Sequence, residues 1–103
     1  MHVLFDLNGT LLDAGALTDR WPGGRGAALR VLDDAVWQAH ADTLTGEFRP
    51  FPEYLRAALG RAAAAVGVGD DMVEAGMEAA RALPAFQDAR PALDALRLSL
   101  IHI

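Results

Sequence analysis

The chain has 103 residues, no cysteine and a formal net charge of −5, which is one small domain's worth of sequence. Acids outnumber the nine arginines, which are scattered singly, and lysine is absent, so no basic stripe offers itself to phosphates; this argues against nucleic acid as a partner. The longest near-apolar run, 62–68, is too short to cross a bilayer, the start of the chain carries no charged leader, and the lack of cysteine removes disulfides and thiol chemistry, so a cytoplasmic protein without membrane contact is expected.

Residues 2–7, His-Val-Leu-Phe-Asp-Leu, read as a buried strand, and Asn8-Gly9-Thr10 as a turn. Leu11, Leu12 and Leu17 suggest a helical entry that Trp21-Pro22-Gly23-Gly24 interrupts. Over 27–44 the apolar residues Ala28, Leu32, Ala35, Val36, Ala39 and Leu44 recur with helical spacing, and Gly46 ends the helix. Arg49-Pro50-Phe51-Pro52 is a stiff loop; Pro52 and Glu53 suit a first helical turn. Tyr54, Leu55, Ala58, Leu59, Ala62 and Val66 form the next stripe, closed by Gly67.

Asp70 or Asp71 is expected to cap a helix running to about residue 82, with Val73, Met77 and Ala80 inward. Leu83-Pro84 ends it. Asp88-Ala89-Arg90-Pro91 starts a last helix with Leu93 and Leu96 as its apolar contacts. One strand and four or five helices result. A single buried strand leaves its backbone groups unpaired, at about 1–3 kcal/mol each, so the rest of a sheet is expected elsewhere.

The stretch Phe5-Asp6-Leu7-Asn8-Gly9-Thr10-Leu11-Leu12-Asp13 carries the chemistry. It sets a carboxylate at the C-terminal end of a strand, where open α/β sheets bind ligands. Gly9 lets the backbone turn beside it, and Thr10 supplies a hydroxyl to orient Asp6 or to hydrogen-bond an anion. A carboxylate held there serves as a nucleophile, forming an ester or an acyl-phosphate.

This stretch resembles motif I of the haloacid dehalogenase superfamily: an apolar strand, Asp-x-x-Gly-Thr, then Leu-x-Asp. The resemblance implies an α/β fold with a Rossmann-like core and an inserted helical cap, here cut so that the chain is mostly α with one N-terminal strand. Residues 1–13 then form the first core strand with the nucleophile, 14–82 the cap, and 83–97 the return toward the core. Trp21-Pro22-Gly23, the helix through Trp37, then Phe51 and Gly67 are similar in layout to the cap of the 2-haloacid dehalogenase branch.

Carried onto this chain, Asp6 matches the family nucleophile and Thr10 the threonine that orients it. Phosphatases of the family usually carry aspartate where Asn8 stands, as a general acid/base. Dehalogenases lack it, because halide leaves without a proton. Asn8 therefore leans the expectation toward hydrolysis of a small 2-haloacid through an aspartyl ester, with no cofactor. The alternative is a Mg²⁺-dependent, phosphoglycolate-phosphatase-like enzyme, in which Asp6 and the Asn8 carbonyl would hold the metal.

Gly9, Leu11 and Arg30 are the expected contacts to a small acidic substrate, Arg30 lying closest by spacing to the family's cap arginine. The family's Ser/Thr, Lys and acidic motifs have no match: there is no lysine, and Ser99 precedes its apolar run. Activity is thus expected of the full-length form and not of these residues alone. The resemblance also leaves room for a homodimer of that form. A non-catalytic helical module that binds through exposed apolar surface is a reading from a different class.

Simpler roles cover the rest. Most aromatics read as cap packing, His40 as a surface residue, Asp33-Asp34 as a solvated face. The tail differs in kind. Among 103 residues with 21 alanines, the only serine is Ser99 and the only isoleucines are Ile101 and Ile103. Residues 98–103 are what CTG TCT CTT ATA CAC ATC encodes, the start of a transposase sequencing adapter, so a non-native tail is expected there.

Overall fold

The computed structural model describes residues 4–5 and 11–101. Two short 3-10 helices, Ala14–Thr18 and Gly24–Ala27, lead into helices α1 (Ala28–Thr45), α2 (Phe51–Val66), α3 (Asp70–Ala80) and α4 (Ala89–Ile101). The described residues contain no strand; their single β-bridge pairs Leu12 with Ala85 antiparallel. The body is therefore helical, and the Rossmann-like core does not appear in it.

Of the expected strand 2–7, only Leu4 and Phe5 are described. Leu4 is 93% exposed and Phe5 43%, and neither is in a strand. This corrects the buried reading for these two residues: no neighbouring strand among the described residues offers them a ladder or a covering layer.

Helix ends follow local chemistry. Gly46 and Gly67 close α1 and α2 with φ of 79° and 77°, the left-handed geometry that costs a glycine nothing. Pro52 and Glu53 occupy the first turn of α2. The start of α3 departs from expectation. Gly69 is its N-cap, and neither Asp70 nor Asp71 makes a capping hydrogen bond. Both sit inside the first turn, where their charge acts on the helix dipole instead. The helix stops at Ala80, two residues early, and the entry at Leu11–Leu12 is a turn and bridge in place of a helix.

The core joins α1, α2, α3 and the first 3-10 helix. Ala28, Val31, Ala35 and Ala39 face Leu55, Ala58, Leu59 and Ala63, while Val73, Met77 and Leu17 close the far side. So many alanines in one seam let two helix backbones approach closely. Val36, Leu44 and Val66, expected inward, are 41%, 89% and 51% exposed, because the alanine face is the one turned to the neighbouring helix. Trp21 is buried, and its indole N–H donates to the Met72 carbonyl at 3.1 Å, which pins the loop between the 3-10 helices to α3.

Tyr54, also buried, donates to Asp42 at 2.7 Å and accepts from the Arg49 N–H at 2.9 Å, clamping the α1–α2 loop. Burial, then the Asp42 hydrogen bond, pushes its phenol up. Ion pairs Arg61–Asp34 and Arg56–Glu74 cross from α2 to α1 and α3 on the surface, fixing register more than stability.

Helix α4 stands apart. Ala89 is buried, while of the two expected contact residues Leu93 is 40% exposed and Leu96 half-buried. The outlying helix stretches the molecule to 53 × 36 × 17 Å, with a radius of gyration of 16.5 Å against the ~13 Å usual for a compact domain of this length.

Two glycines test the packing. A methyl on Gly76 would stand 2.9 Å from Leu59 Cδ2 and 3.1 Å from the Leu17 carbonyl oxygen, whereas one on Gly60 meets nothing. Gly60→Ala should gain about 0.5–1 kcal/mol of helix propensity. Gly76→Ala should lose stability on balance, since overpacking costs about 1–3 kcal/mol against that gain. Urea unfolding midpoints moving in opposite directions are the expected result.

Candidate functional site

Residues 11–13 and 84–86 run side by side where the helical body begins and ends. The Asp13 N–H donates to the Pro84 carbonyl at 2.7 Å, and the Phe86 N–H to the Leu11 carbonyl at 3.0 Å. Asp13 also caps the first 3-10 helix, its carboxylate accepting the Gly15 N–H at 3.1 Å. The Arg25 guanidinium, carried on the second 3-10 helix, pairs with Asp13 and reaches Asp19 at 3.3 Å. A methyl on Gly15 would run into that guanidinium, which would have to shift to make room.

Electrostatics follow from this pairing. The hydrogen bond from Arg25 holds the Asp13 carboxyl below its ordinary value; partial desolvation opposes this and the Gly15 N–H assists it. Asp13 in turn raises Arg25.

Beside this junction lies an apolar cavity of about 380 Å³ between the first 3-10 helix, α1, α2 and the end of α3. Leu17, Leu32, Phe51, Leu55 and Met77 line it, and Arg81 is its one charged lining residue. Arg81 takes part in none of the ion pairs among the described residues. Hydrocarbon walls with one guanidinium suit a small organic anion that carries an apolar part. An open depression of about 630 Å³ surrounds the bridge itself, lined by Asp13 and residues 84–88.

The candidates read from the sequence distribute as follows. Asp6, Asn8, Gly9 and Thr10 lie outside the described residues. Leu11 is half-buried and takes part in the bridge through its carbonyl. Arg30 is exposed on α1 and lines a separate groove with Asp34 and Arg61, away from the main cavity. The Mg²⁺ pair, Asp6 and Asn8, is likewise outside the described residues, among which no group of three acidic or histidine side chains is placed to hold a metal ion.

Of the aromatics, Trp21 and Tyr54 are buried, Phe51 lines the cavity, and Trp37 is 72% exposed. Phe48 packs against Tyr54 at 5.9 Å. Sequence reasoning missed Arg81 and the Arg25–Asp13 pair. The only signal for Arg81 is its place just before Leu83-Pro84, the pair that stops the helix in the sequence.

Comparison with known proteins is consistent with this architecture. Neither a family signature nor a curated relative matches the sequence. A crystal structure of a dehalogenase superposes with a TM-score of 0.71 at 23% identity, over 88% of this chain. The chain spans 43% of that protein's length. The helical body thus has a dehalogenase-like fold. No helix among the described residues is long and apolar enough to cross a membrane.

The depressed Asp13 carboxyl makes a sign-definite prediction. Its contribution is complete above the ordinary carboxylate value of 3.8 and is lost as pH falls through the lower value of the folded state. The stability difference between the protein and Asp13→Asn should therefore shrink between about pH 5 and pH 2, read from unfolding midpoints.

Proposed function

We propose that this chain is part of a hydrolase whose nucleophile is Asp6 and whose substrate is a small 2-haloacid. The observation that carries the reading is the dehalogenase-like helical body folded around an apolar cavity with a single guanidinium in its lining. A 2-haloacid has the matching halves, a short carbon chain and a carboxylate. The motif with Asp6 stands seven residues before Asp13 in the sequence.

The chemistry balances without a cofactor. An Asp6 carboxylate oxygen attacks the halogen-bearing carbon, the carbon–oxygen bond forms and halide leaves with its electron pair. Water then attacks the carbonyl carbon of the ester, freeing the hydroxy acid and a proton and restoring the carboxylate. Thr10 orients Asp6, and Asn8 has no proton to supply because the leaving group needs none. Gly9 and Leu11 shape the mouth of the site. Arg81 holds the substrate carboxylate, a role the cavity lining favours for it over Arg30.

The dehalogenase-like protein is more than twice as long as this chain, so turnover is assigned to the full-length enzyme and not to these 103 residues. In that enzyme, chloride release from 2-chloropropionate should be abolished by Asp6→Ala. Arg81→Gln should raise KM about tenfold, the worth of a charged hydrogen bond, while Arg30→Gln leaves it within about twofold. Phosphate release from p-nitrophenyl phosphate with Mg²⁺, without chloride release, would overturn the reading in favour of the phosphatase.

A further inference from the structure

The apolar cavity is larger than a three-carbon acid needs. About 150 Å³ houses six non-hydrogen atoms of a small apolar molecule, so 380 Å³ has room for roughly fifteen. Six is the whole of 2-chloropropionate. More than half of the cavity would then lack contacts to its walls.

The two ends of the cavity differ in kind. A shallower surface groove, lined also by Glu53 and Arg56, shares Pro52, Met77 and Arg81 with it. Those three residues form the rim, and Arg81 there is exposed. Glu74 is engaged by Arg56, whose hydrogen bond lowers its carboxyl first and the Arg81 charge only last, so the Arg81 guanidinium is left for a ligand. Away from the rim, Leu17, Leu32, Phe51, Leu55 and Leu83 make walls of hydrocarbon with no hydrogen-bonding side chain. Leu17 and Leu55 are buried and mark the inner end.

We propose that this cavity is an acyl pocket selecting an acid with an unsubstituted alkyl chain of about six to nine carbons, its carboxylate on Arg81 at the rim and its chain among Leu17, Leu32, Phe51 and Leu55. For the halogen at the second carbon this rests on the proposed dehalogenase function, and in chain length it goes beyond it. Nine carbons with a carboxylate and a halogen come to about twelve non-hydrogen atoms, which leaves the open rim to water. A polar group along the chain would lose its water without gaining a partner, so the walls select against it. Ala80, the smallest side chain of the lining, is the residue at which chain length is set.

Binding and turnover are tested apart. Unhalogenated n-alkanoates, titrated calorimetrically into the 103-residue chain, should bind about fourfold tighter per added methylene from butanoate to octanoate and then level off. Arg81→Gln should weaken every member about tenfold and leave that slope unchanged. Ala80→Leu, which puts about three more carbons into the wall, should move the plateau about three carbons shorter and leave butanoate binding within about twofold.

No measurable binding of octanoate, equal affinity across the series, undiminished affinity in Arg81→Gln, or an unmoved plateau in Ala80→Leu would each overturn the proposal. In the full-length enzyme, kcat/KM for chloride release should be at least about tenfold higher for 2-chlorooctanoate than for 2-chloropropionate. Alkanoates bound with the expected slope, but no chloride released from either acid, would sink the dehalogenase function and leave the acyl pocket standing. Chloride released equally well from both acids would do the reverse.

Discussion

The antiparallel pairing of residues 11–13 with 84–86 closes the helical body at one point, through the Asp13–Pro84 and Phe86–Leu11 hydrogen bonds. Closing a loop of about 70 residues is expensive in entropy, but that cost grows only with the logarithm of length, so packed helices and a short bridge suffice. With both ends held together, α1, α2 and α3 return to where they started and enclose a cavity against the first 3-10 helix. Asp13 adds a side-chain lock to the same joint, since its partner Arg25 sits on the second 3-10 helix.

Much of the helical layout was legible because helix ends have local causes. Gly46, Pro52 and Gly67 each act through their own backbone, and each stands where the expected boundary fell. The inward face of α1 was harder. Ala28, Ala35 and Ala39 lie on one side and Val36 and Leu44 on another, so hydrophobicity alone offers two faces. The structure turns the smaller residues inward, since close helix approach depends on small volume as well as on apolarity. Asp70 and Asp71 show a related limit: a capping residue and a first-turn residue differ by one position, and composition does not resolve that step.

The site was less legible for a different reason. The residues with a recognisable order, Asp6 to Thr10, carry their meaning in sequence, and the described structure begins again only at Leu11. Arg25 and Arg81 carry no such order. Arg25 reaches Asp13 because Gly23 and Gly24, with φ of 84° and 63°, fold the loop back between two 3-10 helices, a geometry without periodicity. Arg81 enters the cavity lining because α3 ends at Ala80, so it belongs to a turn instead of a helix face. Arg30, chosen by spacing, sits on a helix whose rotation was not yet known.

That rotation bears on what α1 is for. Its alanine seam and Val31 hold it to α2, and Leu32 contributes to the cavity wall. Neither task requires Leu29, Trp37 or Leu44, which point elsewhere and leave large apolar side chains in water. A surface with no further role would more economically carry charge, as α1 does at Arg30 and Asp34 on its flank.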